Sequence, residues 1–137
     1  MRHVDSRSVK VKLMYDLQFD AQNQLLKRKL WGFWDVQIAQ NYITDLKAMI
    51  AKIKKTTNYF KTISDIRETE TQSAGVVKAL KESLKDISDD NNGPVAIICN
   101  SVIKKLQAEY IYPYSNVRVF LDEESALQWL SEQREPG

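Results

Sequence analysis

Val117-Arg118-Val119-Phe120-Leu121-Asp122-Glu123-Glu124-Ser125-Ala126-Leu127-Gln128-Trp129-Leu130 changes its periodicity part-way along. Residues 117–121 alternate and are rich in β-branched and aromatic side chains, which predicts a strand. Asp122 then supplies a carboxylate to cap a helix, with Glu123 and Glu124 in the first turn at the positive end of the helix dipole. Ala126, Leu127 and Leu130 recur at helical spacing and are expected to face inward. A strand that leads straight into a capped helix is the repeating half-unit of an α/β fold.

The same unit recurs upstream. Residues 95–99, Val-Ala-Ile-Ile-Cys, show no alternation, as expected of a central strand covered on both faces. Asn100 and Ser101 can cap a third helix carrying Val102, Ile103 and Leu106, which gives way to the aromatic run Tyr110-Ile111-Tyr112-Pro113-Tyr114. Residues 59–66 read as a strand and the charged stretch 67–72 as a loop. Val76, Val77, Leu80, Leu84 and Ile87 mark an amphipathic helix that the turn-rich residues 88–94 should end. Asp35 caps a long helix bearing Ile38, Tyr42, Ile43, Leu46, Met49, Ile50 and Ile53.

At the start, residues 9–19 alternate, with Val9, Val11, Leu13 and Tyr15 on one face. After the turn chemistry of residues 20–23, Leu26, Arg28 and Leu30 alternate with Lys27, Lys29 and Trp31 up to Gly32, so the two strands should form an antiparallel hairpin. The order is β-β-α-β-α-β-α-β-α. It predicts a single-domain α/β sandwich with a five-stranded mixed sheet and four helices. One domain is expected over residues 9–133, between a flexible N-terminus (1–8) and a short tail (134–137), with no internal repeat or linker.

Composition narrows the functions. A chain of 137 residues with 43% hydrophobic and 28% charged content can bury its own core, and a formal charge of +2 provides no field to gather nucleic acid or anionic membrane. The basic run Lys52, Lys54 and Lys55 suits a helix C-terminus and has no interleaved aromatics for base stacking. The polar N-terminus lacks the apolar core of a signal peptide and no stretch is long enough to span a bilayer, so a cytoplasmic location is expected. The single cysteine, Cys99, sits in an apolar run and is expected to be a buried, inert thiol. One histidine, His3, excludes histidine-based triads, and four scattered glycines give no phosphate loop. No metal or cofactor set is expected. Acids such as Asp65, Glu68, Glu70, Asp122, Glu123 and Glu124 serve capping and solubility more readily than a paired-acid mechanism, and no nucleophile and base can be paired, so the chain does not read as an enzyme.

Open α/β sheets bind ligands beyond the carboxyl ends of their strands. Those ends place Asp65 and Arg67, then Asn100 and Ser101, then Asp122 in one region as candidate ligand- or partner-binding residues. Residues 69–73 add hydroxyls at a helix start, where a phosphate or other anion can be held; the competing reading is that all of these simply cap helices. Trp31, Phe33 and Trp34 around Gly32, and the tyrosines at 110, 112 and 114, are either core anchors or a partner surface.

The ending quoted above, Trp31-Gly32-Phe33-Trp34 before a long helix, and Ser64-Asp65-Ile66-Arg67 closing the third strand together resemble the STAS superfamily, which includes sulphate-transporter tails and anti-sigma factor antagonists. The likeness is greatest to its SpoIIAA-like bacterial branch and covers nearly the whole chain. The resemblance implies a non-enzymatic module that binds a protein partner or small ligand, in some relatives under serine phosphorylation at the start of the second helix. Antagonist relatives carry Asp-Ser-Ser-Gly there, whereas this chain has Thr71-Gln72-Ser73-Ala74-Gly75, leaving Thr71 or Ser73 as the phosphoacceptor to consider. The branch also resembles lipid-carrying SEC14 domains in outline, which implies as the alternative an apolar ligand held between helix and sheet. A homodimer through the hairpin edge or an exposed aromatic surface is compatible with the same sequence.

Overall fold

The computed structural model describes residues 13–90 and 93–136. Val9, Val11, His3 and the N-terminal segment lie outside the described residues. Strands β1 (Tyr15–Asp20) and β2 (Leu25–Gly32) form the expected hairpin, pairing antiparallel from Tyr15 opposite Leu30 to Asp20 opposite Leu25. Asp20 closes the turn by accepting from the Asn23 backbone N–H at 3.2 Å, and Gln24 takes the left-handed conformation, φ 50°, that the tight reversal requires.

The chain continues through α1 (Val36–Lys54), β3 (Lys61–Thr69), α2 (Ala74–Asp90), β4 (Val95–Ile98), α3 (Val102–Ile111), β5 (Val117–Phe120) and α4 (Glu123–Glu132). The strands lie in sequence order, with β2 to β5 all parallel. A sheet wound in one direction by right-handed crossovers puts every connecting helix on the same face. Accordingly α1, α2 and α3 cover one face, while α4, which follows the last strand, packs Ala126 and Leu130 against Ala96 and Ile98 on the other. β4 is therefore buried along its whole length, as its unbroken apolar run implies.

The main core lies between β1–β2 and helices α1 and α2, where Leu26, Tyr42, Leu46, Val76 and Leu84 are fully buried. Asp35 caps α1 by accepting from the Ile38 N–H at 2.8 Å. Trp34 is a core anchor: its ring lies 5.1 Å from that of Tyr42 and 5.9 Å from that of Tyr15, and its indole N–H donates to the Trp31 carbonyl at 2.9 Å. Gly32 is needed for the bend, because its φ of +81° is left-handed and a Cβ would come within 2.8 Å of the Met14 sulfur.

Several local expectations are corrected. Residues 67–69 belong to β3 and not to a loop: Glu68 and Thr69 pair with Trp31 and Gly32 of β2 across a register shift. The second helix runs on to Asp90, into the stretch read as a turn. The apolar residues that mark the third helix, Val102, Ile103 and Leu106, are 61–65% exposed, because α3 packs through Ala108 and Ile111. Leu127 of α4 is likewise outside, at 45%. Leu13, expected on the buried face of the first strand, is exposed.

Candidate binding surface

Because α4 covers only the β4–β5 side of its face, the outer face of β1 and β2 stays open, and there the alternation of the hairpin presents Asp16, Gln18, Lys27 and Lys29. At the border between covered and open halves lie the first two candidate residues. Arg67 donates from Nε to Asp65 Oδ1 at 3.0 Å and from Nη2 to Asp65 Oδ2 at 2.9 Å, a bidentate pair. The same Nη2 donates to Glu123 Oε1 at 2.9 Å, tying the end of β3 to the first turn of α4. The hydrogen-bonded Arg67 guanidinium holds the Asp65 carboxyl below the usual carboxylate range, against the opposing effect of partial burial, with the Arg67 backbone N–H adding to the lowering. Lys29 and Glu68 form a second ion pair nearby, at 2.8 Å.

Asn100 joins this group through a residue the sequence reading did not single out. Lys104 donates to Asn100 Oδ1 at 2.9 Å and to the Arg67 carbonyl at 3.0 Å, stitching the ends of β3 and β4 together. Ser101 and Asp122 instead act on their own helices. Ser101 Oγ accepts from the Lys104 N–H at 3.2 Å, and Asp122 accepts from the Ser125 N–H at 2.7 Å and from its hydroxyl at 3.0 Å. Those bonds lower the Asp122 pKa.

The β3–α2 loop is pinned by two glutamines that no local pattern flags. Gln72 donates to the carbonyls of Gly32 at 3.0 Å and Glu70 at 2.8 Å, and its Oε1 accepts from the Trp34 N–H at 2.8 Å. Gln107 of α3 answers with a reciprocal pair, accepting from the Gln72 N–H at 3.0 Å and donating to the Gln72 carbonyl at 3.2 Å. Thr71 and Ser73 are both exposed on this fixed loop, and Ser73 Oγ caps α2 by accepting from the Val76 N–H at 3.4 Å. Cys99 is fully buried, and burial pushes its thiol pKa up.

Three spaces adjoin these residues. A groove of about 460 Å³ runs along the open sheet face between Lys27, Lys29, Asp65, Glu123 and Leu127. A second, of about 910 Å³, lies between α2 and α3 and is lined by Ala74, Val77, Lys78, Lys81, Gln107 and Tyr110. Between these helices and the sheet, behind Gln72 and Gln107, there is a space of only about 50 Å³. Along the outside of α3, Val102, Ile103, Leu106 and Tyr110 form a continuous exposed apolar stripe, with the Tyr110 ring under the Lys81 ammonium at 4.4 Å. Among the described residues no cluster of acidic, histidine and cysteine side chains is arranged to hold a metal, and no helix is long and apolar enough to cross a membrane.

A five-stranded mixed sheet in sequential order, with its crossover helices on one face and the final helix on the other, is the SpoIIAA-like fold. Among solved structures, the chain is similar to an uncharacterized protein of the DUF3478 family with a SpoIIAA-like fold from Shewanella loihica PV-4. The two superpose with a TM-score of 0.62 at 18% identity over 85% of this chain and 91% of the other. A likeness at that identity is a likeness of fold. No family model and no curated protein matches the sequence.

Proposed function

We propose that the chain is a non-enzymatic, STAS-like regulatory module that docks a protein partner at the carboxyl edge of β3 to β5 and along α3. The observation that carries this reading is the unpartnered stripe of Val102, Ile103, Leu106 and Tyr110, which concentrates large exposed apolar side chains on one ten-residue helix. A soluble domain keeps such a patch when something covers it. The stripe starts beside Asn100 and Ser101, and the Asp65–Arg67–Glu123 knot supplies the charged rim that gives an interface its register. Thr71 and Ser73 stand at the head of the adjoining α2–α3 groove. A phosphate on either would put negative charge at the α2 N-terminus and on the rim of the surface, which is the means by which docking would be regulated.

The apolar-ligand alternative has the inter-layer space in its favour, but about 50 Å³ is far below the roughly 300–1,000 Å³ of ordinary ligand pockets, so an acyl chain would need α2 and α3 to separate. The test is quantitative affinity capture from the host's own lysate, comparing the native chain with an Ile103→Glu, Leu106→Glu variant of unchanged circular dichroism. Each buried Ile or Leu contributes about 1.5–3 kcal/mol, so loss of both should remove a stoichiometric partner entirely. The Asp65→Ala, Arg67→Ala variant should weaken the same complex. Equal recovery by native and variant chains overturns the proposal.

A further inference from the structure

Arg28 lies in the middle of β2 on the face covered by three helices and is only 5% exposed. No described carboxylate pairs with it. Its Nη1 donates to the Tyr42 hydroxyl at 3.1 Å, and its guanidinium carbon lies 5.8 Å from the centre of the Tyr112 ring. Among the described residues its Nε has no hydrogen-bond partner. On the next strand Thr62, 1% exposed, has a hydroxyl in the same condition. The register puts Ser64 opposite Arg28 and Thr62 opposite Leu26, so Arg28 and Thr62 are diagonal neighbours on one face of the sheet.

Both side chains line one small cavity, otherwise walled largely by apolar groups such as Leu46, Leu84 and Val95, with Tyr112 at its side. The space it leaves is about 20 Å³, room for a single small occupant. A guanidinium cannot shed its proton in response to burial, so the charge remains. A neutral water in the cavity would satisfy hydrogen bonds and leave that charge uncompensated; a monovalent anion does both.

We infer that this cavity is a buried site for one small monovalent anion, of halide or carboxylate size, held by Arg28 Nε–H and the Thr62 hydroxyl. The inference does not depend on the docking surface, which lies on the far side of α3 and at the sheet edge.

The test is thermal unfolding of the full chain at constant ionic strength, with sodium gluconate replaced stepwise by chloride, bromide or formate. The unfolding midpoint should rise saturably with at least one of the three. A response to the halides assigns the site to a free halide, and one to formate alone assigns it to a small carboxylate. Arg28→Met should abolish the response. Thr62→Val, which keeps the charge and removes one donor, should weaken apparent affinity about tenfold, the loss expected for one hydrogen bond to a charged group. Crystals soaked in bromide should give an anomalous peak between Arg28 and Thr62 when halide is the occupant. A midpoint indifferent to all three anions, or an equal response in Arg28→Met, overturns the inference and leaves an ordered water as the occupant.

Discussion

Replacing Gln72 by alanine tests whether one side chain fixes the loop that begins α2. In the folded chain its amide makes three hydrogen bonds, two donated to the carbonyls of Gly32 and Glu70 and one accepted from the Trp34 N–H. Each contributes about 0.5–1.5 kcal/mol net, so loss of all three in Gln72→Ala should cost about 3 kcal/mol. For a domain of this size that corresponds to a fall of roughly 10 °C in Tm. Gln72→Glu is the discriminating control, since it keeps an acceptor for Trp34 N–H but cannot donate to either carbonyl. It should lose at least two thirds as much as alanine, because a carboxylate oxygen in place of the amide nitrogen faces the Gly32 and Glu70 carbonyl oxygens. Urea unfolding with an unchanged m-value gives the free energies, and hydrogen exchange at the Trp34 amide should accelerate in Gln72→Ala. A loss below about 1 kcal/mol, or an unchanged Trp34 exchange rate, would show that water replaces the amide and that the loop is held by Gln107 alone.

Two further outcomes follow from the candidate edge. Ser101→Ala should cost about 1 kcal/mol by uncapping α3, and Asp122→Ala should destabilise through α4, both measured by urea unfolding; neither should change partner capture beyond that loss, because both side chains serve their own helices. Asp65 has a folded-state pKa below its unfolded value, so the stability it contributes is present above the unfolded pKa of about 4 and is lost as pH falls through the lower folded value. The difference in stability between the native chain and Arg67→Ala should therefore narrow steadily below about pH 5, and a difference that is constant from neutral pH to pH 2 would refute the coupling.

What the sequence revealed of the fold followed from how evenly each element meets solvent. Residues 95–98 are apolar throughout because both sheet faces are covered there, and Lys27 and Lys29 alternate with Leu26 and Leu30 because one face of β2 is open. The end of β3 was missed for the same reason: Arg67 and Glu68 are polar because α4 leaves the neighbouring β2 surface open, while backbone pairing with Trp31 and Gly32 makes the strand. In α3, apolar residues occupy two faces, and periodicity cannot tell which one packs. Ala108 and Ile111 are the buried pair, so the larger Val102, Ile103 and Leu106 are left outside. Of the candidate residues, Asp65, Arg67 and Asn100 are brought together, but the two groups that join them, Glu123 and Lys104, lie 56 and 37 residues from Arg67, so no local pattern reveals the pairing. The Gln72–Gln107 pair, 35 residues apart, is invisible for the same reason.

Arg28 was legible in position and not in meaning. Its alternation with Leu26 and Leu30 places it on the inner face of β2, where a leucine or methionine would satisfy the pattern. Burial opposes its charge, and the hydrogen bond to the Tyr42 hydroxyl satisfies one of its donors without supplying a counter-charge. Burial likewise pushes the Tyr112 hydroxyl well above the ordinary tyrosine range, so the ring next to Arg28 is neutral and supplies no counter-charge. Desolvating a cation costs several kcal/mol even after relaxation, and hydrophobic replacement of buried ionic groups is often neutral or stabilising by about 1–4 kcal/mol. Packing alone therefore gives no reason for a guanidinium here. The unpartnered Nε and Thr62 hydroxyl supply one, because together they select an occupant by charge and size in a space that an apolar side chain would simply fill.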